Sequence, residues 1–276
     1  MVDWLRLFEC AAEEIRERVK PLFGSEEGGK SFGRGAGGDV SKKIDLLAEE
    51  IVIKTLEGRG VSCILVSEEC GVKKLGVEES SGYVVMDGID GTTNAVHGLP
   101  FAATSLAFSK GPCLKDVQLG LIMDFSSNTI FHAEKGKGAY RNEKRLKPAS
   151  ITGLRDALIS FELGDQRDRE QQIHRLLPIL ANSNKIRILG STALELCYIA
   201  SGALDAFIDV RGGARATDLA AAQLILVESG GVSVTPSGRL LDLALNATAM
   251  TSIIAASNPI LCKNIVERLD IDQNKG

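Results

Sequence analysis

Aromatic residues make up 5% of the 276-residue chain, with a single tryptophan, and no aromatic pair stands out to stack a base. A surplus of positive charge is missing too. The net charge is −4, and lysines and arginines are scattered rather than striped, so nucleic acid is not expected as a main partner. No apolar run reaches the roughly 18 residues that a membrane span needs. The start, Met1-Val2-Asp3-Trp4, lacks the basic and apolar regions of a signal peptide, so a soluble, cytoplasmic protein is expected. The six cysteines (Cys10, Cys63, Cys70, Cys113, Cys197, Cys262) form no C-x-x-C pair, which argues against a zinc knuckle and a secreted disulfide framework. His97, His132 and His174 lack metal-ligand spacing.

What is present is apolar substance: 44% of the residues are hydrophobic, enough for a large core in one unit spanning 1–276. Its halves read differently, as an α+β part to about 150 and an α/β part from about 151. Leu5, Phe8, Ala12, Ile15 and Val19 recur at helical spacing up to Pro21. A second helix is expected from Ile44 to about Gly58, with Ser41 near its start and Asp45 in its first turns. Strands are expected at Cys63–Val66, Tyr83–Met86, Ala102–Phe108, Val117–Met123 and Thr129–Ala133, the later ones as an antiparallel meander. Beyond about Ser150, helices near Asp168–Leu180, Ala193–Ala200 and Asp218–Ser229 alternate with strands at Ile186–Leu189, Leu204–Val210, Val232–Val234 and Ile253–Ala256. That alternation favours layered α/β packing.

Between Gly24 and Gly38 lie seven glycines, a composition that reads as a mobile flap whose Lys30 and Arg34 could swing toward a substrate. Three motifs overlap there. Residues 24–31 match G-x-x-x-x-G-K-S, 29–33 match G-x-S-x-G, and 33–38 match G-x-G-x-x-G. All three need a preceding buried strand, and a helix precedes them here.

The strongest signal is acidic. An apolar strand runs through Val84-Val85-Met86 into Asp87-Gly88-Ile89-Asp90-Gly91-Thr92-Thr93-Asn94. Asp87 and Asp90, with the Ile89 carbonyl, offer the oxygens that a hard divalent cation prefers, although Asp also caps ordinary turns. Glu68 at another strand end and Asp218 at a helix start complete a cage of carboxylates. Two ions held there could clamp a phosphate, activate a water and stabilise the departing alkoxide. Backbone N–H groups of Gly91, Thr92 and Thr93 at a helix start would favour phosphate oxygens.

At these motifs the chain resembles the inositol monophosphatase superfamily, and its archaeal-type members that act on both inositol monophosphate and fructose bisphosphate. The likeness rests on S-E-E (67–69), D-G-I-D-G-T-T-N-A (87–95), L-G-S-T-A-L-E-L-C-Y-I-A-S-G-A-L-D-A-F-I-D (189–209) and T-D-L-A-A-A-Q-L-I-L-V-E-S-G-G (217–231). It implies an α-β-α-β-α sandwich, a homodimer, lithium sensitivity, and two or three Mg2+ ions. Glu68 and Asp87 would bind the first ion, Asp87, Asp90 and Asp218 the second, with the Ile89 carbonyl completing a shell and a weaker third ion near Glu68. It further implies that Asp45 pairs with Thr92 to orient the attacking water.

On the substrate side, Asp90, Gly91, Thr92 and the 190–192 segment with Ser191 match positions that touch phosphate or ring. Arg187 and Arg211 are candidates for a second phosphate, because a guanidinium fork binds phosphate bidentately. Either could instead be a surface ion-pair partner. Three departures from the family pattern bear on the site: Gly88 in place of a proline, expected to loosen the turn; Thr217 in place of a tryptophan or branched residue; and Gly37 in place of an acid of the glycine-rich loop. A 3'-phosphoadenosine 5'-phosphate phosphatase and a non-catalytic regulatory or binding member are the alternatives.

Overall fold

A computed structural model describes residues 2–164 and 169–270. Helices α1 (Trp4–Val19) and α2 (Lys43–Gly58) flank a hairpin of β1 (Ser31–Arg34) and β2 (Val40–Lys42). An eight-stranded sheet follows, built from β3 (Cys63–Ser67), β4 (Gly71–Leu75), β5 (Tyr83–Asp90), β6 (Ala103–Ser109), β7 (Val117–Asp124), β8 (Thr129–Glu134), β9 (Gly138–Arg141) and β10 (Lys144–Arg145), with the short α3 (Thr92–Val96) after β5. The second sheet has five strands: β11 (Leu158–Glu162), β12 (Lys185–Arg187), β13 (Ala206–Arg215), β14 (Val232–Val234) and β15 (Met250–Ala256). Around it lie α4 (Arg169–Leu180), α5 (Thr192–Ala200), α6 (Ala216–Ser229) and α7 (Pro259–Asp270). The expected start of the third long helix, Asp168, lies outside the described residues.

Side-chain alternation explains the layering. In β5, Val84 and Met86 join the cluster under α1 and α2, whereas Val85 faces the cluster formed with α5 and α6. In the second sheet, Phe207, Ile253 and Ala255 meet that same middle cluster, while Ile208, Ile254 and Ala256 pack with Leu176 of α4 and Leu261 of α7. Five layers result: α1/α2, the large sheet, α5/α6, the small sheet, and α4/α7. Strands buried on both faces read as continuous apolar runs, which is why their existence was legible but their neighbours were not.

The meander β5-β6-β7-β8-β9-β10 is antiparallel, and only β3 joins β5 in parallel. The register Ser67↔Met86 brings the C-terminal end of β3 beside the middle of β5, with Glu68 and Asp87 next in line. A register shift against β6 between Asp87 and Asp90 then bends the chain into α3.

Gly88 sits at a close approach of two elements. A Cβ there would stand 2.9 Å from Ala48 Cβ, so glycine is what lets β5 press against α2 and bring Asp87 close to Asp45. Gly88→Ala should lower stability by about 1–3 kcal/mol through overpacking, read as a lower thermal midpoint. An unchanged midpoint would mean that α2 shifts freely.

The glycine-rich segment, expected to be mobile, is a docked hairpin. Ala36 N donates to Glu69 O at 3.1 Å and Gly37 N to Glu68 O at 2.7 Å. A Cβ at Gly35 would lie 2.7 Å from Glu68 O, so glycine is what allows this approach. The segment leaves a helix and enters an edge hairpin, which removes the nucleotide-loop, nucleophile-elbow and dinucleotide readings together.

Candidate active site

Four helices begin around one point. Asp45 and Asp218 each stand at the third position of a helix, α2 and α6, where the partly positive helix start favours a carboxylate. Each also accepts from the backbone just before its helix: Lys42 N to Asp45 at 3.0 Å, and Arg215 N to Asp218 at 3.4 Å. Glu68, Asp87 and Asp218 each direct a carboxylate oxygen inward, and these atoms lie within 4.8 Å of one another. The strand ends and the α6 start, separated by more than a hundred residues, therefore converge as expected from the sequence.

This crowding is electrostatically unfavourable without a cation. Burial first, and then Glu68, Asp218, Asp90 and Asp45, push the Asp87 carboxyl well above its ordinary range. Asp218 is raised by burial and by Glu68 and Asp90. An all-oxygen donor set with this repulsion fits a hard divalent ion, because binding one removes the repulsion and needs no further residue.

Asp90 faces the same pocket, but its Oδ2 accepts from Ser191 Oγ at 2.5 Å and from Ala193 N at 2.7 Å. Burial raises its pKa to about 6 against the lowering effect of those bonds. Ser191, expected on the substrate side, is buried, with its hydroxyl committed to Asp90. The Ile89 carbonyl accepts from Thr92 Oγ1 at 2.8 Å.

Thr92 Oγ1 also lies 3.1 Å from Asp45 Oδ1, so the pair implied by the family likeness is formed. Desolvation lifts Asp45 to about 7. A carboxylate poised there can take a proton at neutral pH, which an ordinary solvated Asp does poorly.

Beside these groups opens a cavity of about 550 Å³, lined by Gly91, Thr92, Thr93, Arg211, Arg215 and Asp218 among others. Arg211 lies on its wall, ion-paired to the fully buried Asp209 at 2.8 Å and near Glu162 at 3.8 Å. Arg187 does not reach this cavity. It ends the edge strand β12, exposed, and donates to its neighbour's carbonyl, Ile186 O, at 2.8 Å. A larger hollow of about 730 Å³ on the α4 side has no carboxylate among its described lining residues.

The sequence reading missed Arg215 and Asp39. Arg215 Nη1 donates to Glu68 Oε2 at 2.6 Å, and its Nη2 reaches Asp39 Oδ2 at 2.6 Å. Asp39, two residues beyond Gly37, is thus an acid that the hairpin brings to the site. Thr217, noted only as a departure, donates to Glu68 Oε1 at 2.6 Å and so fixes that carboxylate. Two isolated polar letters carry no periodic signal, and only the fold brings them to the acids.

A carboxylate cage beside an Asp–Thr pair, framed by helix starts in a five-layer α-β-α-β-α fold, is the machinery of a metal-dependent phosphatase. The profile of the inositol monophosphatase family matches residues 6–272, and the chain belongs to that family. It is 38% identical over 277 residues to a fructose-1,6-bisphosphatase/inositol-1-monophosphatase of Methanothermobacter thermautotrophicus, covering 97% of each chain. It is 33% identical to a bifunctional NADP phosphatase/NAD kinase of Methanococcus maripaludis, with 96% of this chain matching 49% of that one. A crystal structure of an inositol monophosphatase-fructose 1,6 bisphosphatase superposes with a TM-score of 0.84 at 30% identity, covering 97% of this chain and 100% of that one.

Proposed function

We propose that this phosphatase is magnesium-dependent and acts on small phosphorylated sugars or cyclitols, foremost fructose 1,6-bisphosphate and inositol monophosphate. The convergence of Glu68, Asp87 and Asp218 carries the reading. A phosphate dianion cannot enter a pocket of like charge unless cations neutralise it first. Bound magnesium would supply that neutralisation and acidify a water.

The chain's own groups do the rest. Thr92 has one hydroxyl proton and two acceptors in reach, the Ile89 carbonyl and Asp45; turned toward Asp45, it leaves its oxygen free to accept a hydrogen bond from an attacking water. Ser191 and Ala193 N hold Asp90 in one orientation toward the pocket. Arg211, braced by Asp209 and Glu162, presents a cation on the wall where a second phosphate of a bisphosphate would lie. A cytoplasmic homodimer belongs to the same proposal, and sedimentation would check the dimer.

Phosphate release from fructose 1,6-bisphosphate, inositol 1-phosphate, 3'-phosphoadenosine 5'-phosphate and NADP, each with magnesium or with chelator, tests the reading. Release from the first two that stops in chelator is the expected result. Preference for either nucleotide would move the substrate to that class, in keeping with the NADP phosphatase relative. Arg211→Met should raise KM for the bisphosphate about tenfold or more while changing inositol phosphate turnover little, the scale of one charge-assisted contact. Equal losses on both substrates would remove Arg211 from the second-phosphate role.

A further inference from the structure

We propose that Arg215 is a built-in cation of this site, a positioning residue that latches the β1–β2 hairpin over Glu68 and leaves room for two added metal ions, not three. The inference rests on the metal-dependent reading above.

Three observations carry it. The guanidinium spans elements distant in sequence: Nη1 on Glu68 Oε2, Nη2 on Asp39 Oδ2 at 2.6 Å each, with Gly37 O at 3.4 Å from Nη2. Its side chain is 16% exposed and that of Glu68 18%, so the Glu68 contact is shielded from solvent far more than an ordinary surface pair, while Asp39 forms the exposed end. The hairpin is independently shaped to meet it, since Gly35 and Gly37 let its backbone close onto Glu68 and Glu69 where any Cβ would be crowded.

The consequence for ion binding follows from where the donors sit. Thr217 donates to Glu68 Oε1 and Arg215 to Oε2, which leaves a lone pair on each oxygen for the cage shared with Asp87 and Asp218. A further cation on the outer side of Glu68 would have to displace a charge-assisted bond and face a fixed positive charge. Arginine suits this bridging because its planar fork serves several acceptors at once, which an ammonium group does not do in fixed geometry.

Hydrogen exchange at Ala36 and Gly37 and calorimetric counting of bound magnesium, both without substrate, test the proposal. For Arg215→Gln, exchange at these amides should rise at least about tenfold, the signature of a lost local closure, and one additional weak magnesium should bind per chain. Arg215→Lys should keep the wild-type ion count yet lose the hairpin protection. Asp39→Asn, which cuts only the exposed end of the bridge, should also speed exchange, and it remains informative if Arg215→Gln does not fold. Unchanged exchange in Asp39→Asn and Arg215→Gln would overturn the latch, and an unchanged ion count in Arg215→Gln would overturn the charge replacement. Because neither readout uses turnover, a failure here is separable from a failure of the substrate assays.

Discussion

Asp87→Asn is expected to lower kcat/KM by about a thousandfold, the scale of removing one charge-stabilising group from a transition state, and at the same time to raise the thermal midpoint of the metal-free protein. The two effects share a cause. Asp87 is the most crowded of the acids, flanked by Glu68, Asp218, Asp90 and Asp45. Asparagine keeps its shape and removes its charge, so the repulsion disappears together with the site for a divalent ion. Each kcal/mol of repulsion removed should move the midpoint up by about 2–4 °C in a protein of this size. The stabilisation that magnesium gives the wild type by mass action should shrink in parallel. Scanning fluorimetry in chelator and in magnesium, alongside phosphate release, measures all of this, and normal turnover in the mutant would overturn the metal assignment.

The same acids set the pH dependence of the metal-free fold. Asp45, at about 7, holds a proton in the folded state over a range where the unfolded chain, at the ordinary Asp value of 3.8, has released it. The folded state therefore binds more protons, and stability falls as pH rises through that window. Asp90, at about 6, acts in the same direction over a narrower window. Magnesium should reverse the trend, because the ionised carboxylates are then paired.

Asp45→Asn is expected to cost about a hundredfold to ten-thousandfold in turnover, the range for loss of a general base. It should also remove the acid limb of the pH–rate profile. On the proposed mechanism that limb falls at or below about 7 in the wild type, since Asp45 would have to be ionised to receive the Thr92 proton and a bound magnesium would pull its pKa down. A mutant that kept the limb would assign it to another group. Thr92→Ser, which keeps the hydroxyl, should retain most of the activity and the limb.

The alternation of apolar runs placed most long helices and central strands correctly, because a buried face imposes its period on the letters. Short or half-polar elements escaped: β4 carries Lys73 and Lys74, β10 has two residues, and the β1–β2 hairpin was submerged in glycine. Helix α7 and strand β11 were missed as well, although both join the outer cluster. Ser41 does stand near the α2 start, two residues before it, and its hydroxyl donates to the Glu69 carboxylate.

Of the site, the sequence by itself marked the four acids as candidates, because carboxylates recurring at strand ends and helix starts are unusual together, and the Asp45–Thr92 pair came from the family likeness. Only the tertiary structure decided how those acids are held. Arg215 and Asp39 meet across 176 residues, Ser191 turns inward to Asp90, and Arg187 stays on an edge strand away from the cavity. The reason is physical: a side chain's direction depends on the register and bends of the elements around it, such as the shift between Asp87 and Asp90, and no local pattern of letters records where those bends fall.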